Sequence, residues 1–504
     1  MSRSWRAAVV LIFAAALAGC SAGGVRETRG GAQQSTTPQV FSGRTASEQR
    51  IGDENHPRIL AEYGGEVPDA AIRSYVSDIG RRISSNTEQP NAKWTFTVLD
   101  SPVINAFALP GGYVYVTRGL LALADDEAEL AGVLGHEMGH VTARHGTERQ
   151  NRSQRATVGV LGAAILGAVL GGERGAQLGL EIGQTVAAGS LASYSRTQEF
   201  EADTLGVSYI ARTGYDPIAQ AEFLESMSDK SSVDATLQGG TYNPNRVDFL
   251  ASHPATADRV RQAIAAAGRN ASGGTARNED RYLNMIDGMV YGDSPKQGFV
   301  RGNSFQHPVL RFMFSVPEGY RITNQPTQII AAGRDSSVLI MDAASDPGGS
   351  LTSYLRDLWY PQIRERNPVG DIADIRPRRI DGLDAATMTI PVQQDTGVAV
   401  GDLTVIRANG RLYRFTALSP QTARASRQAL DRSVQSFDSL TEAQAARLKP
   451  YRVRVTTVRA EDTVNSLAQR MSPGPLRLER FLALNSLDAN SRLTPGQRVK
   501  LVSE

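Results

Sequence analysis

The chain has 504 residues, too many for one typical core, and a prior of roughly 100 to 200 residues per domain suggests about three domains. Lys and Arg (54) nearly balance Asp and Glu (52), so at a net charge of +2 there is no basic field that would hold nucleic acid or an anionic membrane surface. A single cysteine excludes any intramolecular disulfide.

The first twenty residues, MSRSWRAAVVLIFAAALAGC, carry Arg3 and Arg6, an apolar run from Ala7 to Leu17, and small residues before Cys20. That is the layout of a secretory signal peptide, too short to be a stable membrane span. Leu17 to Cys20, LAGC, resembles a bacterial lipobox, which implies that Cys20 becomes the lipid-bearing first residue of the mature protein. Ser21 follows it instead of Asp, and by analogy with Gram-negative lipoproteins this implies sorting to the outer membrane. Residues 21–45 are rich in Gly, Ser, Thr and Gln without periodicity and read as a flexible tether.

Residues 46–267 read as the first folded piece, helical with a small strand element. WTFTVLD (94–100) and GYVYVTRG (112–119) alternate as half-buried strands should, whereas 126–146 and 196–213 carry helical spacing. Gly214 and Pro217 close the second of these helices. The stretch GRNASGGTARNED (268–280) reads as a linker. Residues 281–440 are expected to form an α+β domain, with strands at 310–316, 337–343, 403–408 and 411–418, helices at 351–366 and 421–437, and a hairpin turn at Asn409-Gly410. No catalytic constellation is visible in it. After a break at Pro450, residues 451–503 have a βααβ pattern.

The informative stretch is AELAGVLGHEMGHVTARHGTE (128–148): three of the chain's six histidines, His136, His140 and His145, fall within it. A helix advances 100° per residue, so His136 and His140 project from one face, spaced to bind one tetrahedral zinc. Glu137 lies beside them, able to reach a water on the metal without ligating it. This is the H-E-x-x-H arrangement, with the glutamate as general base. His145 would stand 140° off the ligand face and reads as a bystander. Such a zinc needs a third protein ligand. In SRTQEFEADTLG (195–206), Glu199 and Asp203 are again four residues apart, so Glu199 can ligate while Asp203 hydrogen-bonds a ligand histidine. Glu201 is the competitor for the ligand position, 200° away from Glu199. The uncharged stretch 156–172 reads as a helical lid or plug close to this site, with insertion into a membrane as the alternative.

NAFALPGGYVYVTRGLL (105–121), DEAELAGVLGHEMGHVTARH (126–145), EFEAD (199–203) and SHPATADR (252–259) resemble, in order and style, the HtpX-like and BepA-like zinc metallopeptidases, gluzincins related to the CAAX prenyl protease. The resemblance covers roughly residues 50–265. It implies one Zn²⁺ per chain on His136, His140 and Glu199, with Glu137 as the catalytic base. It also implies that His253 faces the metal, either as a fourth ligand that silences the enzyme or as a donor to the tetrahedral intermediate. Tyr113, Val114, Tyr115 and Val116 would form an edge strand that pairs with an extended substrate. The last fifty residues resemble a LysM module: Glu461-Asp462-Thr463 opens a helix, Asn485 precedes Leu487, and LTPGQRVKL (493–501) closes it. That likeness implies peptidoglycan as a partner of residues 451–503. The expectation is therefore an α+β multidomain chain, a mainly helical gluzincin domain with a small sheet, then an α+β domain, then a LysM-like module. Its expected role is a lipid-anchored periplasmic zinc endopeptidase acting on unfolded or misassembled envelope proteins. The alternatives are a peptidoglycan hydrolase and a chaperone or scaffold with a latent zinc site.

Overall fold

A computed structural model describes residue 41 and residues 43–147, 194–237, 253, 257–271, 273–366, 369–394 and 397–504. The signal peptide with Cys20, nearly all of the tether, and the stretch 156–172 lie outside the described residues.

Helix α1 (Ala46–Glu62) starts with a capping box between Thr45 and Glu48. The chain is already held before it. The N–H of Phe41 donates to Thr142 O at 3.0 Å, and Arg44 donates to Gly111 O at 2.8 Å. The tether expected to reach residue 45 is therefore docked at Phe41 and Arg44, because these side chains and amides find partners on the folded body. Helix α2 (Ala70–Ser84) is capped by Asp69 and buries Ile72, Tyr75, Val76, Ile79 and Ile83, one stripe at helical spacing.

Strands β1 (Thr95–Leu99), β2 (Ala106–Leu109) and β3 (Tyr113–Thr117) form a sheet in the order β1-β3-β2, with β1 parallel and β2 antiparallel to β3. This corrects the expectation for Tyr113, Val114, Tyr115 and Val116. They lie on the central strand, bonded on both sides and buried, so they present no open edge. Gly111 and Gly112, at φ 92° and 79°, make the left-handed turn between β2 and β3 that other residues would adopt only with strain.

After α3 (Arg118–Leu123), helix α4 (Glu127–Thr142) begins at the Asp126 cap and is buried along all its length except Val141. Its glycines allow this. A Cβ on Gly135 would sit 3.1 Å from Gly206 O, and one on Gly139 would sit 3.1 Å from Ala202 O. Both neighbours belong to α5 (Arg196–Arg212), so the two helices approach nearly backbone to backbone. Helices α6 (Ala219–Leu237), α7 (Ala257–Arg269) and α8 (Glu279–Ile286) complete the layer. The segment read as a linker is strapped to this body. Ala276 N–H donates to Gly214 O, and Arg277 pairs with Asp126 and Glu222 at 2.6 Å each.

Residues 299–439 contain a seven-stranded antiparallel sheet in the spatial order Asp374–Ile380, Leu383–Gln394, Gly397–Ala408, Arg411–Pro420, Val338–Ser345, Gln328–Ala332 and Arg321–Asn324. One face packs on Leu351, Leu355 and Trp359, the other on Phe305, Phe314, Leu430 and Phe437. Asn409 and Gly410 turn the hairpin at φ 50° and 71°.

At the C-terminus, strands Tyr451–Thr457 and Arg498–Ser503 pair antiparallel around helices Val464–Gln469 and Arg477–Leu484. This βααβ module shares the first core. Its strand Tyr451–Thr457 pairs with Val290–Tyr291, and Val453 joins the cluster that contains Leu283 and Ile286. Lys500, 1% exposed, donates to the carbonyls of Ala122, Leu123 and Ala124 at the end of α3. Among the described residues no helix is long and apolar enough to cross a membrane.

Candidate metal centre

The close approach of α4 and α5 places four buried side chains around one point. His136 Nε2 and His140 Nε2, one turn apart on α4, are 3.0 Å from each other. Glu199, in the first turn of α5, sets Oε1 at 3.4 Å from His140 Nε2 and Oε2 at 3.6 Å from His136 Nε2. His253 brings Nδ1 to 3.2 Å from His136 Nε2 and to 2.9 and 3.1 Å from the two oxygens of Glu199. All four ligand atoms lie within 4.8 Å of one another. Tetrahedral zinc with bonds near 2.0 to 2.1 Å holds its ligand atoms about 3.3 Å apart. The observed separations bracket that spacing, and imidazole nitrogens with one carboxylate are the donor set zinc takes, so the residues present fit the metal.

The surroundings fix the donors. His136 Nδ1 is 2.9 Å from Asp203 Oδ1, which leaves Nε2 to face the cluster. Asp203 receives two bonds from Arg259, and Arg259 Nη1 is 2.8 Å from Glu199 Oε2. Gln220 adds a bond to Asp203 Oδ1 at 3.0 Å. Burial works against the Asp203 carboxylate, but the Arg259 charge and its bonds outweigh it and bring the pKa to about 2. Glu199 behaves alike: burial opposes its charge, while His253 and Arg259 hold it well below the usual carboxylate range. Burial keeps His140 well below the ordinary imidazole value, so it presents a lone pair.

Glu137 sits beside the four donors without being one of them. It is fully buried, and neither carboxylate oxygen has a hydrogen-bond partner among the described residues; His253 Nε2 stands 3.7 Å from Oε1. Burial raises its pKa, with His253 and His136 tempering the shift. A carboxylate beside the donors with free lone pairs is the arrangement a general base requires.

Two neighbours escaped the sequence reading, and a third, His145, was placed wrongly by it. Arg259 was visible only as the end of SHPATADR; two acids converging on one site call for a cation, and that charge balance was the available signal. Tyr194 stacks on His140 with ring centres 3.9 Å apart. His145, expected to face away, lies 2.9 Å from His140, and Glu201 pairs with His145 instead of entering the cluster. A cleft beside the centre is lined by Ala108, Leu109, Gly111, His140, Arg144 and Tyr194, which joins the end of β2 to the donors.

Residues 71–267 match the profile of peptidase family M48, and residues 456–502 match that of the LysM domain. The chain is 30% identical over 247 residues to the beta-barrel assembly-enhancing protease of Escherichia coli K12, covering 47% of each chain. The protein of that name from Yersinia pestis is 30% identical over 228 residues, 43% of each chain. The mitochondrial metalloendopeptidase OMA1 of Schizosaccharomyces pombe is 30% identical over 218 residues, 43% of this chain and 59% of that one. The chain thus spans about half the length of the bacterial relatives it matches. The donor cluster thus falls within the segment similar to peptidase family M48, residues 71–267, and the C-terminal βααβ module coincides with the segment similar to the LysM domain, residues 456–502.

Proposed function

We propose that the protein is a zinc-dependent endopeptidase of the bacterial cell envelope that hydrolyses misfolded or misassembled envelope proteins. The observation that carries this reading is the buried set His136, His140, Glu199 and His253 beside the carboxylate of Glu137, which has no hydrogen-bond partner among the described residues. When bound, zinc supplies a Lewis acid that polarises the scissile carbonyl and makes water acidic. The chain's own residues do the rest. His136, His140 and Glu199 serve as donors, and Asp203 with Arg259 holds the first and third of them in place. Glu137 takes a proton from the attacking water and delivers it to the leaving amine. His253 sits where a fourth donor would, which supports a closed resting form: its withdrawal admits water and substrate. Among the described residues β2 pairs with a strand on one side only, and the cleft at its end reaches His140; an extended chain pairing there would be read through its backbone, which suits unfolded substrates.

The names of the bacterial relatives support a role in the assembly or removal of β-barrel proteins. A lipid on Cys20 would hold the enzyme at the outer membrane, and the LysM domain would hold it against peptidoglycan. Zinc-loaded protein should cleave unfolded casein and denatured outer-membrane protein, and Glu137→Gln should reduce the rate by at least about 10³-fold while still binding zinc. Cleavage of purified sacculi alone would establish a peptidoglycan hydrolase instead. A Glu137→Gln strain without the defects of a deletion strain would point to a scaffold.

A further inference from the structure

The position of His145 follows from where α4 stops. The helix ends at Thr142, Ala143 caps it, and Arg144 takes a left-handed φ of 58°. Had the helix continued, His145 would point 140° away from His140. The reversal at Arg144 instead brings its ring back against the metal side, buried, with its centre 5.0 Å from that of His140 and the planes inclined by 70°. Nδ1 of His145 is 2.9 Å from Nδ1 of His140, and its Nε2 is 3.2 Å from Glu201 Oε2.

These contacts leave one assignment of protons. Nε2 of His140 faces His136 and Glu199, so a metal bound there needs the lone pair on that nitrogen and the ring proton on Nδ1. The Nδ1–H of His140 then donates to Nδ1 of His145. The proton of His145 is left on Nε2, where it donates to Glu201.

We propose that His145 and Glu201 are positioning residues for the zinc ligand His140, a relay that fixes its tautomer and ring plane; this rests on the metallopeptidase reading above. His136 has the equivalent support directly from a carboxylate, Asp203. An imidazole is interposed at His140 for an electrostatic reason. Glu137, Glu199 and Asp203 already surround the centre, and Arg259 is the one side-chain cation that the described contacts place against them. A further buried carboxylate touching His140 would add uncompensated charge. With His145 between, the carboxylate sits one ring farther out, on Glu201, whose side chain is 22% exposed.

The test is zinc affinity of the full-length protein, measured by competition with a chromogenic chelator, together with the melting temperature of the zinc-free protein. His145→Leu removes the acceptor and should weaken zinc binding about 10- to 100-fold, the range seen when the partner of a ligand histidine is lost. His145→Asn sets an amide oxygen where Nδ1 stood and should restore most of the affinity; His145→Gln, whose amide falls at the Nε2 position, should not. Glu201→Ala should lie between wild type and His145→Leu. The zinc-free variants should melt with wild type. Equal zinc affinity in wild type and His145→Leu overturns the relay, as does a His145→Asn variant no better than His145→Gln. If His145→Leu does not fold, the Asn and Gln pair still decides. Failure of the wild-type protein to bind zinc would instead overturn the metallopeptidase reading itself.

Discussion

Arg259 grips both oxygens of Asp203, from Nε and Nη2 at 2.8 Å each, and its remaining Nη1 reaches Glu199 Oε2 at the same distance. One buried cation thus orients the partner of His136 and a proposed zinc donor together. Arg259→Leu leaves two buried carboxylates uncompensated and should cost about 3 to 5 kcal/mol of stability, read from urea unfolding. Arg259→Lys keeps the charge but not the fork, so it should recover part of the stability and little of the zinc affinity. Equal zinc affinity in Lys and Arg proteins would show that charge alone matters here.

Gly206 sets the distance between α4 and α5. A Cβ there would meet His136 N at 2.8 Å, His136 Cα at 3.0 Å and Gln220 Oε1 at 2.7 Å. The backbone atoms of His136 cannot give way without moving the ligand. Gly206→Ala should therefore cost about 1 to 3 kcal/mol by overpacking, and zinc affinity should fall with it. Gly268, exposed on α7 with nothing within 4 Å of its Cβ position, is the control. Alanine there should be neutral or stabilise by up to about 1 kcal/mol, through helix propensity. Matching melting shifts for the two variants would contradict the packing argument.

The parts of this centre that obey one local period were legible in the sequence. Four-residue spacings put His136 with His140, and Glu199 with Asp203, on common helix faces. The Asn409-Gly410 turn needed only its two positive φ angles. What was not legible depended on neighbours far along the chain. The alternation in Tyr113–Thr117 marks a strand but not its partners, and β3 turned out flanked on both sides. The angle assigned to His145 assumed a helix that had already ended. Arg259 and Lys500 act across gaps of 56 and more than 370 residues, where no periodicity reaches.

Acid sensitivity should arise away from the metal centre, at His307. It is 6% exposed, its Nδ1 accepts the N–H of Leu310 at 3.1 Å, and burial depresses its pKa to about 4 against a weaker opposing bond to the Lys296 backbone. A folded pKa below the unfolded value near 6.5 means the unfolded chain binds the proton first. The stability held by neutral His307 is thus complete above about pH 6.5 and is lost as pH falls toward 4, about 2 kcal/mol of it by pH 5. His307→Asn keeps an acceptor for Leu310 without titrating. The difference in unfolding free energy between wild type and this variant should shrink or reverse between pH 7.5 and 5.0; a constant difference would exclude His307 as the source.

Lys500 makes the LysM domain part of the peptidase body. Its ammonium accepts no bond and needs three acceptors, and it finds the carbonyls of Ala122, Leu123 and Ala124 at 3.1, 2.7 and 2.8 Å, with Asp125 Oδ1 at 2.7 Å. Those carbonyls close α3, whose C-terminal end carries negative partial charge, and Asp126, two residues after Ala124, caps α4. Asn485 locks the strand that presents the lysine, accepting from Lys500 N at 2.6 Å and donating to Lys500 O at 3.0 Å. Lys500→Met should cost on the order of 3 kcal/mol, because the carbonyls keep their burial and lose their donor. The loss should appear in the same cooperative unfolding transition as the metal centre, so zinc release and tryptophan fluorescence should shift to lower urea together. If the C-terminal module instead unfolded alone while zinc stayed bound, Lys500 would be a local contact and the two domains would be energetically separate.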